Sequence, residues 1–213
     1  ITGQTAITSL ADTDKFLVSD ASDSGNLKYV ENQYLGGGIL NQITSVTASA
    51  STTVQTIDNC FTSTYRNYFI TVEKLSISNS SSKLNWRFRT GGGSGSDAGN
   101  NMGGASHGWL GGSNVAMTQH FVNDGVVHLT NNVYQDDDFA LHMYVFNPYA
   151  NNERSILSGR SVYREGSTSY TGFNHFGMLS ISTETHTGFK LESSDAQFNS
   201  GGRITVYGIT NPS

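Results

Sequence analysis

The chain has 213 residues, enough for one domain of ordinary size with a small appendage. Charged residues make up 14% of it, its formal net charge is −5, and 11% of its residues are aromatic. These values exclude a disordered chain, and the lack of a Lys/Arg cluster argues against nucleic acid as a partner. No apolar run approaches the ~20 residues that cross a bilayer, so no membrane insertion is expected.

The single cysteine, Cys60, excludes an intrachain disulfide. It follows Asp58-Asn59 and precedes Phe61, and this setting favours a small buried hydrophobe over a nucleophile. The chain begins at Ile1 rather than Met, so we expect the numbering to start after processing or trimming.

Residues 1–38 are predicted to form a separate segment. Two short strand patterns, Lys15 to Ser19 and Asn26 to Val30, flank the turn-rich stretch Asp20 to Gly25, which predicts a β-hairpin. An isolated hairpin is marginal in water, so we expect it to pack on the main domain, on its own copy or on another protein. Gly36 to Gly38 would supply a flexible joint. The predicted interface residues of the hairpin are Phe16, Val18, Leu27 and Tyr29.

Residues 39–213 are predicted to form the main domain, because period-two patterns recur along them. Leu84, Trp86 and Phe88 alternate with polar residues. A loop, Asn79 to Ser82, joins this strand to the preceding one, so the two are expected to form a hairpin. Roughly eight to ten short strands without a helical period predict an all-β fold, an antiparallel β-sandwich of jelly-roll-like type.

The segment Phe139 to Phe146 is apolar on both faces, which predicts a central strand or a subunit interface. Pro148 ends it, because proline cannot donate to a sheet ladder. The interface residues predicted here are Phe139, Leu141, Met143 and Val145. Further strands are expected over Thr171 to Phe176, Met178 to Thr183, Gly188 to Glu192 and Gly202 to Ile209.

A long glycine-rich connection runs from Gly91 to Gly112 and contains His107 and Trp109. A tryptophan on a flexible polar loop can stack on a sugar ring or anchor a partner. Trp109 and His107 are therefore the candidate ligand-binding residues. The alternative is that Trp109 packs against the edge of the domain.

The sequence predicts no cofactor and no metal site. The six histidines have no metal-ligand spacing, so only a zinc site assembled from distant strands stays open. The run Asp136-Asp137-Asp138 lacks the calcium-loop pattern, and a solvated turn is favoured over a Ca²⁺ site.

No catalytic residues are predicted, and we expect the protein not to be an enzyme. The chain has no Gly-x-Ser-x-Gly elbow. A polysaccharide depolymerase would need two carboxylates beside a groove, and the sequence cannot pair its candidates. Those candidates are Glu165, Glu184, Glu192 and Asp195.

Three stretches carry a resemblance to a known family. They are Ile57 to Tyr68, with Phe61 before a Tyr-x-x-Tyr; Val145-Phe146-Asn147-Pro148; and Phe198 to Ile209, with its Tyr-Gly. They resemble segments of the C-terminal β-sandwich domains of tailed-phage virion appendage proteins, common among marine and cyanobacterial phages. Ile7 to Asp14 similarly resembles an N-terminal segment of phage fibre proteins.

The resemblance implies a structural virion protein, often a homotrimer, assembled in the host cytoplasm. A tail-fibre subunit is favoured over a head fibre or capsid decoration. The expected partners are its own copies, other virion proteins and host surface glycans. A lectin-like glycan-binding module is the alternative function, and a polysaccharide depolymerase is a third. The sequence leaves the host, the receptor, the copy number and the location on the tail or the head open.

Overall fold

The structure is a computed structural model that describes residues 15–20, 26–31, 40–92, 95–99, 102–110, 113–166 and 170–210. The chain divides into two compact units, Ile1–Ile39 and Leu40–Ser213. The sequence patterns placed this boundary one residue earlier. Each unit is described by itself below.

The described part of the first unit is a β-hairpin, as predicted. Strands β1 (Lys15–Asp20) and β2 (Asn26–Glu31) pair antiparallel. The side chains of Leu27 and Tyr29 are 64% and 72% exposed, so this hairpin presents apolar surface to solvent. The side chains of Phe16 and Val18 and the predicted glycine joint lie outside the described residues.

The second unit contains the remaining strands in two sheets. The first six are β3 (Leu40–Thr47), β4 (Val54–Ile57), β5 (Asn67–Leu75), β6 (Leu84–Thr90), β7 (Ser96–Asp97) and β8 (Met102–Leu110). The others are β9 (Ser113–Asp124), β10 (Val127–His128), β11 (Phe139–Phe146), β12 (Ile156–Arg164), β13 (Thr171–Ser180), β14 (Gly188–Ser193) and β15 (Arg203–Ile209). The large sheet has the order β3-β15-β5-β11-β12-β13-β8-β9, and the small sheet the order β10-β6-β14-β4, with β7 beside β6.

The two sheets form an antiparallel β-sandwich, so the predicted fold class is confirmed. Alternation of apolar and polar residues gives each strand one buried face. Trp86, Phe88 and Phe189 of the small sheet are fully buried, as are Ile70 and Val206 of the large sheet. The core therefore lies between the inner faces of the two sheets, and each sheet keeps an outer face.

The predicted hairpin of β5 and β6 is wrong. β5 lies in the large sheet and β6 in the small one, so the loop over 79–82 connects the two layers. Both strands carry a continuous apolar face. Two such faces bury each other better across a sandwich than side by side in one sheet.

The glycine-rich connection is also more ordered than predicted. It contains β7 and β8, and β8 pairs with β13 on one side and β9 on the other. His107 and Trp109 consequently belong to a strand of the large sheet rather than to a flexible loop. Glycine weakens a β-pattern in the sequence but is compatible with pairing between two neighbouring strands. The two strands predicted between 171 and 183 are one continuous strand, β13.

Strand β11 is central in the large sheet, between β5 and β12. The four residues predicted as subunit interface, Phe139, Leu141, Met143 and Val145, are buried in the core of the subunit itself. Their assignment to an interface is corrected, because their apolar surface is already covered by the small sheet. The opposite face of β11 carries Tyr144 and the half-buried Phe146.

Cys60 is buried, with its sulfur 3.7 Å from the carbonyl oxygen of Ile57. Burial raises the pKa of this thiol far above its ordinary value. We expect native protein to resist a disulfide-exchange reagent that modifies one thiol per chain in guanidinium, because only the thiolate reacts. Following the release of the coloured thiol with and without denaturant checks this, and fast stoichiometric reaction of the native protein would contradict it.

Candidate functional site

The three segments that carry the family resemblance meet at one end of the sandwich. The chain before β5, the chain after β11 and the end of β15 lie together there, since these strands are antiparallel neighbours. A cavity of about 380 Å³ opens at this point. We call it the end pocket, and it is lined by Thr62, Ser63, Tyr65, Arg66, Asn147, Tyr149, Ala150 and Glu153.

Arg66 organises the polar side of the end pocket. Its Nε donates to Asn147 Oδ1 at 2.7 Å, and its Nη2 donates to both carboxylate oxygens of Glu153, at 2.8 and 3.1 Å. The backbone N–H of Asn147 donates in turn to the carbonyl oxygen of Arg66 at 2.9 Å. The Arg66 and Glu153 side chains are 60% and 41% exposed, so these bonds orient the guanidinium group and balance its charge at the surface of the domain.

The aromatic side of the pocket depends on a close approach between two distant residues. A Cβ atom at Gly208 would lie 2.4 Å from the ring of Tyr65, so only glycine lets this ring rest on the backbone of β15. Tyr65 also makes an edge contact with the buried Tyr68. Asn147 has φ of 53°, a left-handed conformation that asparagine tolerates better than most residues and that turns the chain directly after β11.

A second candidate surface is the outer face of the large sheet. Phe146, Ile156 and Leu179 are direct cross-strand neighbours on β11, β12 and β13. Beside them, the ring of Tyr144 lies 5.0 Å from that of Phe69, and Phe69 lies 6.3 Å from Tyr207. We call these six residues the apolar band. Within it, Tyr144, Ile156 and Leu179 are 45%, 41% and 38% exposed.

The outer face of the small sheet has the opposite character. Arg87 pairs with Glu192 at 3.0 Å and Lys190 with Asp97 at 2.6 Å. Arg89 pairs with Asp58 at 2.7 Å. Ion pairs of this kind are compatible with a surface that stays in water. Few residues of the chain are charged, and their concentration here distinguishes the two outer faces.

A row of basic and titratable side chains crosses the large sheet next to the apolar band. His142, Arg160, His175 and His107 are successive cross-strand partners on β11, β12, β13 and β8. Partial burial, the charge of Arg160 and the two neighbouring histidines lower the pKa of His175.

The row does not make a metal centre. Within the described residues, no group of three or more His, Cys, Asp or Glu side chains is arranged to hold a metal ion. His107 is half-buried on β8, whereas the side chain of Trp109 lies outside the described part of the structure. Their predicted role in ligand binding is untested.

The acidic run lies in the turn before β11. Asp137 pairs with Arg164 at 2.9 Å, and Asp136 accepts a hydrogen bond from Asn199 at 3.1 Å. Asp136 has φ of 59°, as expected in a tight turn. Two of the three carboxylates are therefore used in contacts with the domain itself.

The sequence patterns did not show that a serine, a histidine and a glutamate lie next to one another. Ser155 Oγ lies 2.9 Å from His186 Nδ1, and Glu184 Oε1 lies 3.7 Å from His186 Nε2. Ser155 and His186 are only 1% exposed, and the imidazole stacks on the ring of Phe88 at 4.2 Å. A nucleophile must reach its substrate, so we interpret this line as a hydrogen-bond network of the core.

Burial also explains the charge state of this network. It lowers the pKa of His186 to about 4, against a smaller opposite effect of the Glu184 carboxylate. The imidazole is therefore neutral at pH 7.

The carboxylates considered for glycoside hydrolysis have different surroundings. Glu192 is engaged by Arg87, Glu165 is buried, and Glu184 accepts a hydrogen bond from Ser182. None of these three carboxylates lines the end pocket. Among the described residues that line it, the carboxylate is that of Glu153, which the sequence patterns did not single out. The Tyr-x-x-Tyr and Asn-Pro stretches were the signal available in the sequence. Only the folded domain shows that these two stretches lie together.

Within the described residues, no helix is long and apolar enough to span a bilayer. No family model, no curated protein and no solved structure matches this chain.

Proposed function

We propose that this chain is a structural subunit of a tailed-phage particle, a tail-fibre or appendage protein that assembles with its own copies, as a trimer. We place a tail fibre ahead of a head fibre or capsid decoration, and the resemblance of the three sequence stretches supports a virion appendage at either location. The observation that carries the assembly is the exposed apolar band on the large sheet.

The apolar band has the chemistry of a contact between copies. Soluble monomers rarely expose contiguous apolar surface of this kind, and where they do it marks an interaction site. None of its six side chains is charged, so two bands can meet without burying an unpaired ion. The charged outer face of the small sheet would then stay in water, which gives the subunit one associating face and one solvated face.

The hairpin of the first unit supports the same proposal. Leu27 and Tyr29 are exposed on a two-stranded element that is marginal by itself. We propose that they are covered by a neighbouring copy or by another virion protein. The protein would thus act in the virion, after assembly in the host cytoplasm, and no catalytic role is proposed for it.

We expect the double substitution Ile156→Asp with Leu179→Asp to convert an oligomer into a monomer. These two residues face each other across β12 and β13, so the change places two carboxylates at the end of the band that these strands form. Light scattering coupled to size exclusion measures the mass, and circular dichroism checks that the variant is folded.

The control is Thr56→Asp, at an exposed position on the outer face of the small sheet. This variant should keep the wild-type mass. A wild-type protein that stays monomeric at high concentration would refute the proposal, and so would a folded double variant of unchanged oligomeric mass.

A lectin-like function is the second candidate. The observation that favours it is the end pocket, with two tyrosines and the polar side chains of Arg66, Asn147 and Glu153.

A further inference from the structure

We infer that the end pocket binds a neutral saccharide, such as a terminal sugar residue of a surface glycan, with Tyr149 and Tyr65 contacting the ring and Arg66, Glu153 and Asn147 contacting its hydroxyl groups. This inference does not depend on the proposed assembly, because none of these residues belongs to the apolar band.

The size and lining of the pocket suit one sugar unit. Its volume of about 380 Å³ lies within the range of small-molecule sites. Tyr149 is 39% exposed and Tyr65 half-buried, so both keep surface available for a ligand. Aromatic rings offer a flat apolar face, which matches the C–H face of a pyranose and needs little conformational ordering.

The polar array suits hydroxyl groups rather than an ion. Each hydroxyl group of a sugar can both donate and accept a hydrogen bond. A guanidinium, carboxylate or amide group has two polar atoms in one plane, so one such side chain can contact two adjacent hydroxyl groups. Arg66 uses Nε and Nη2 for Asn147 and Glu153, and no hydrogen bond of its Nη1 to a described residue is seen. The Glu153 carboxylate has further lone pairs beyond those that Arg66 occupies.

The charge balance selects against acidic ligands. Nη2 of Arg66 donates to both carboxylate oxygens of Glu153, so the pair adds no net charge to the pocket. An anionic ligand would have to displace Glu153 from Arg66 to gain a counter-charge. A neutral ligand can instead add its hydrogen bonds to those already present, and the polar groups are held in place before it arrives.

The backbone supports a preorganised site. Asn147 keeps a left-handed conformation directly after β11, and it is held there by contacts from both the side chain and the carbonyl oxygen of Arg66. Tyr65 is held from below by Gly208. The pocket therefore joins two segments far apart in the chain into one fixed arrangement.

The test is saturation-transfer NMR on the full chain with methyl glycosides of glucose, galactose and mannose, with N-acetylglucosamine, and with glucuronate as the acidic comparison. We expect at least one neutral sugar to bind and glucuronate to bind more weakly. Tyr149→Ala should weaken binding about tenfold, which corresponds to the loss of one ring contact. Glu153→Gln, which keeps the shape but breaks the ion pair, should also weaken it.

The matched control is Tyr170→Ala, because Tyr170 is equally exposed at 39% but does not line the pocket. It should bind like the wild type. Binding of none of the neutral sugars would overturn the inference, as would equal affinities of the Tyr149 and Tyr170 variants or a preference for glucuronate. The same measurements on the monomeric band variant separate this result from the assembly proposal, since that variant should bind the sugar unchanged.

Discussion

Replacement of Trp86 by alanine is expected to destabilise the main domain by about 3–5 kcal/mol, the usual cost of deleting a large buried aromatic side chain. Trp86 is fully buried in β6 and stacks on Phe189 with a centroid distance of 4.0 Å. It also makes an edge contact with Phe88 at 5.5 Å. A typical domain is stable by about 5–15 kcal/mol, so this single change would remove much of the margin.

Urea unfolding followed by far-ultraviolet circular dichroism measures the effect, with Tyr149→Ala as the exposed aromatic control. We also expect Trp86→Phe to cost clearly less than Trp86→Ala. The indole N–H of Trp86 is buried without a hydrogen-bond partner among the described residues, and phenylalanine removes this unpaired donor while it keeps an aromatic ring. An alanine variant as stable as the wild type would show that the aromatic cluster is not the centre of the core.

Acidification from pH 7 to pH 4 is expected to reduce stability by about 3 kcal/mol through His186 alone. Its ordinary pKa is 6.5 and burial lowers it to about 4 in the folded domain. Between these two values the unfolded chain takes up a proton that the folded domain does not bind. The folded state therefore has its full advantage above pH 6.5 and loses it as the pH falls towards 4.

The measurement is the free energy of unfolding in urea at several pH values for wild type and for His186→Gln. Glutamine cannot titrate, so the variant should be less stable throughout but have a smaller slope of stability against pH between 4 and 6.5. The other histidines and the carboxylates titrate in both proteins, so the difference between the slopes isolates His186. Equal slopes would show that His186 accepts its proton in the folded state as easily as in the unfolded one.

The sequence by itself determined where most of the strands lie and, for several of them, which face is apolar. The alternation of Leu84, Trp86 and Phe88 predicted a buried face that the structure confirms. Two strand patterns around a turn-rich stretch predicted the first hairpin, and the setting of Cys60 predicted its burial. This information is local, because side chains alternate between the two sides of every extended strand.

The sequence was less informative where the pattern itself was weak. Glycines hid strand β8, since residues without side chains carry no periodicity. Strand β11 appeared apolar on both faces, and the sequence could not say which face the small sheet covers. Burial of Leu141 and Met143 inside the subunit leaves Tyr144 and its neighbours as the exposed set.

Only the tertiary structure decided which strands are neighbours and which side chains meet. Strand β5 pairs with β11 and β15 rather than with β6, although a short loop joins β5 to β6. For the same reason Arg66 meets Asn147 and Glu153, Tyr65 rests on Gly208, and Ser155 lies beside His186. These contacts join residues far apart in the chain, and they follow from how two whole apolar faces cover each other, which no short stretch of sequence specifies.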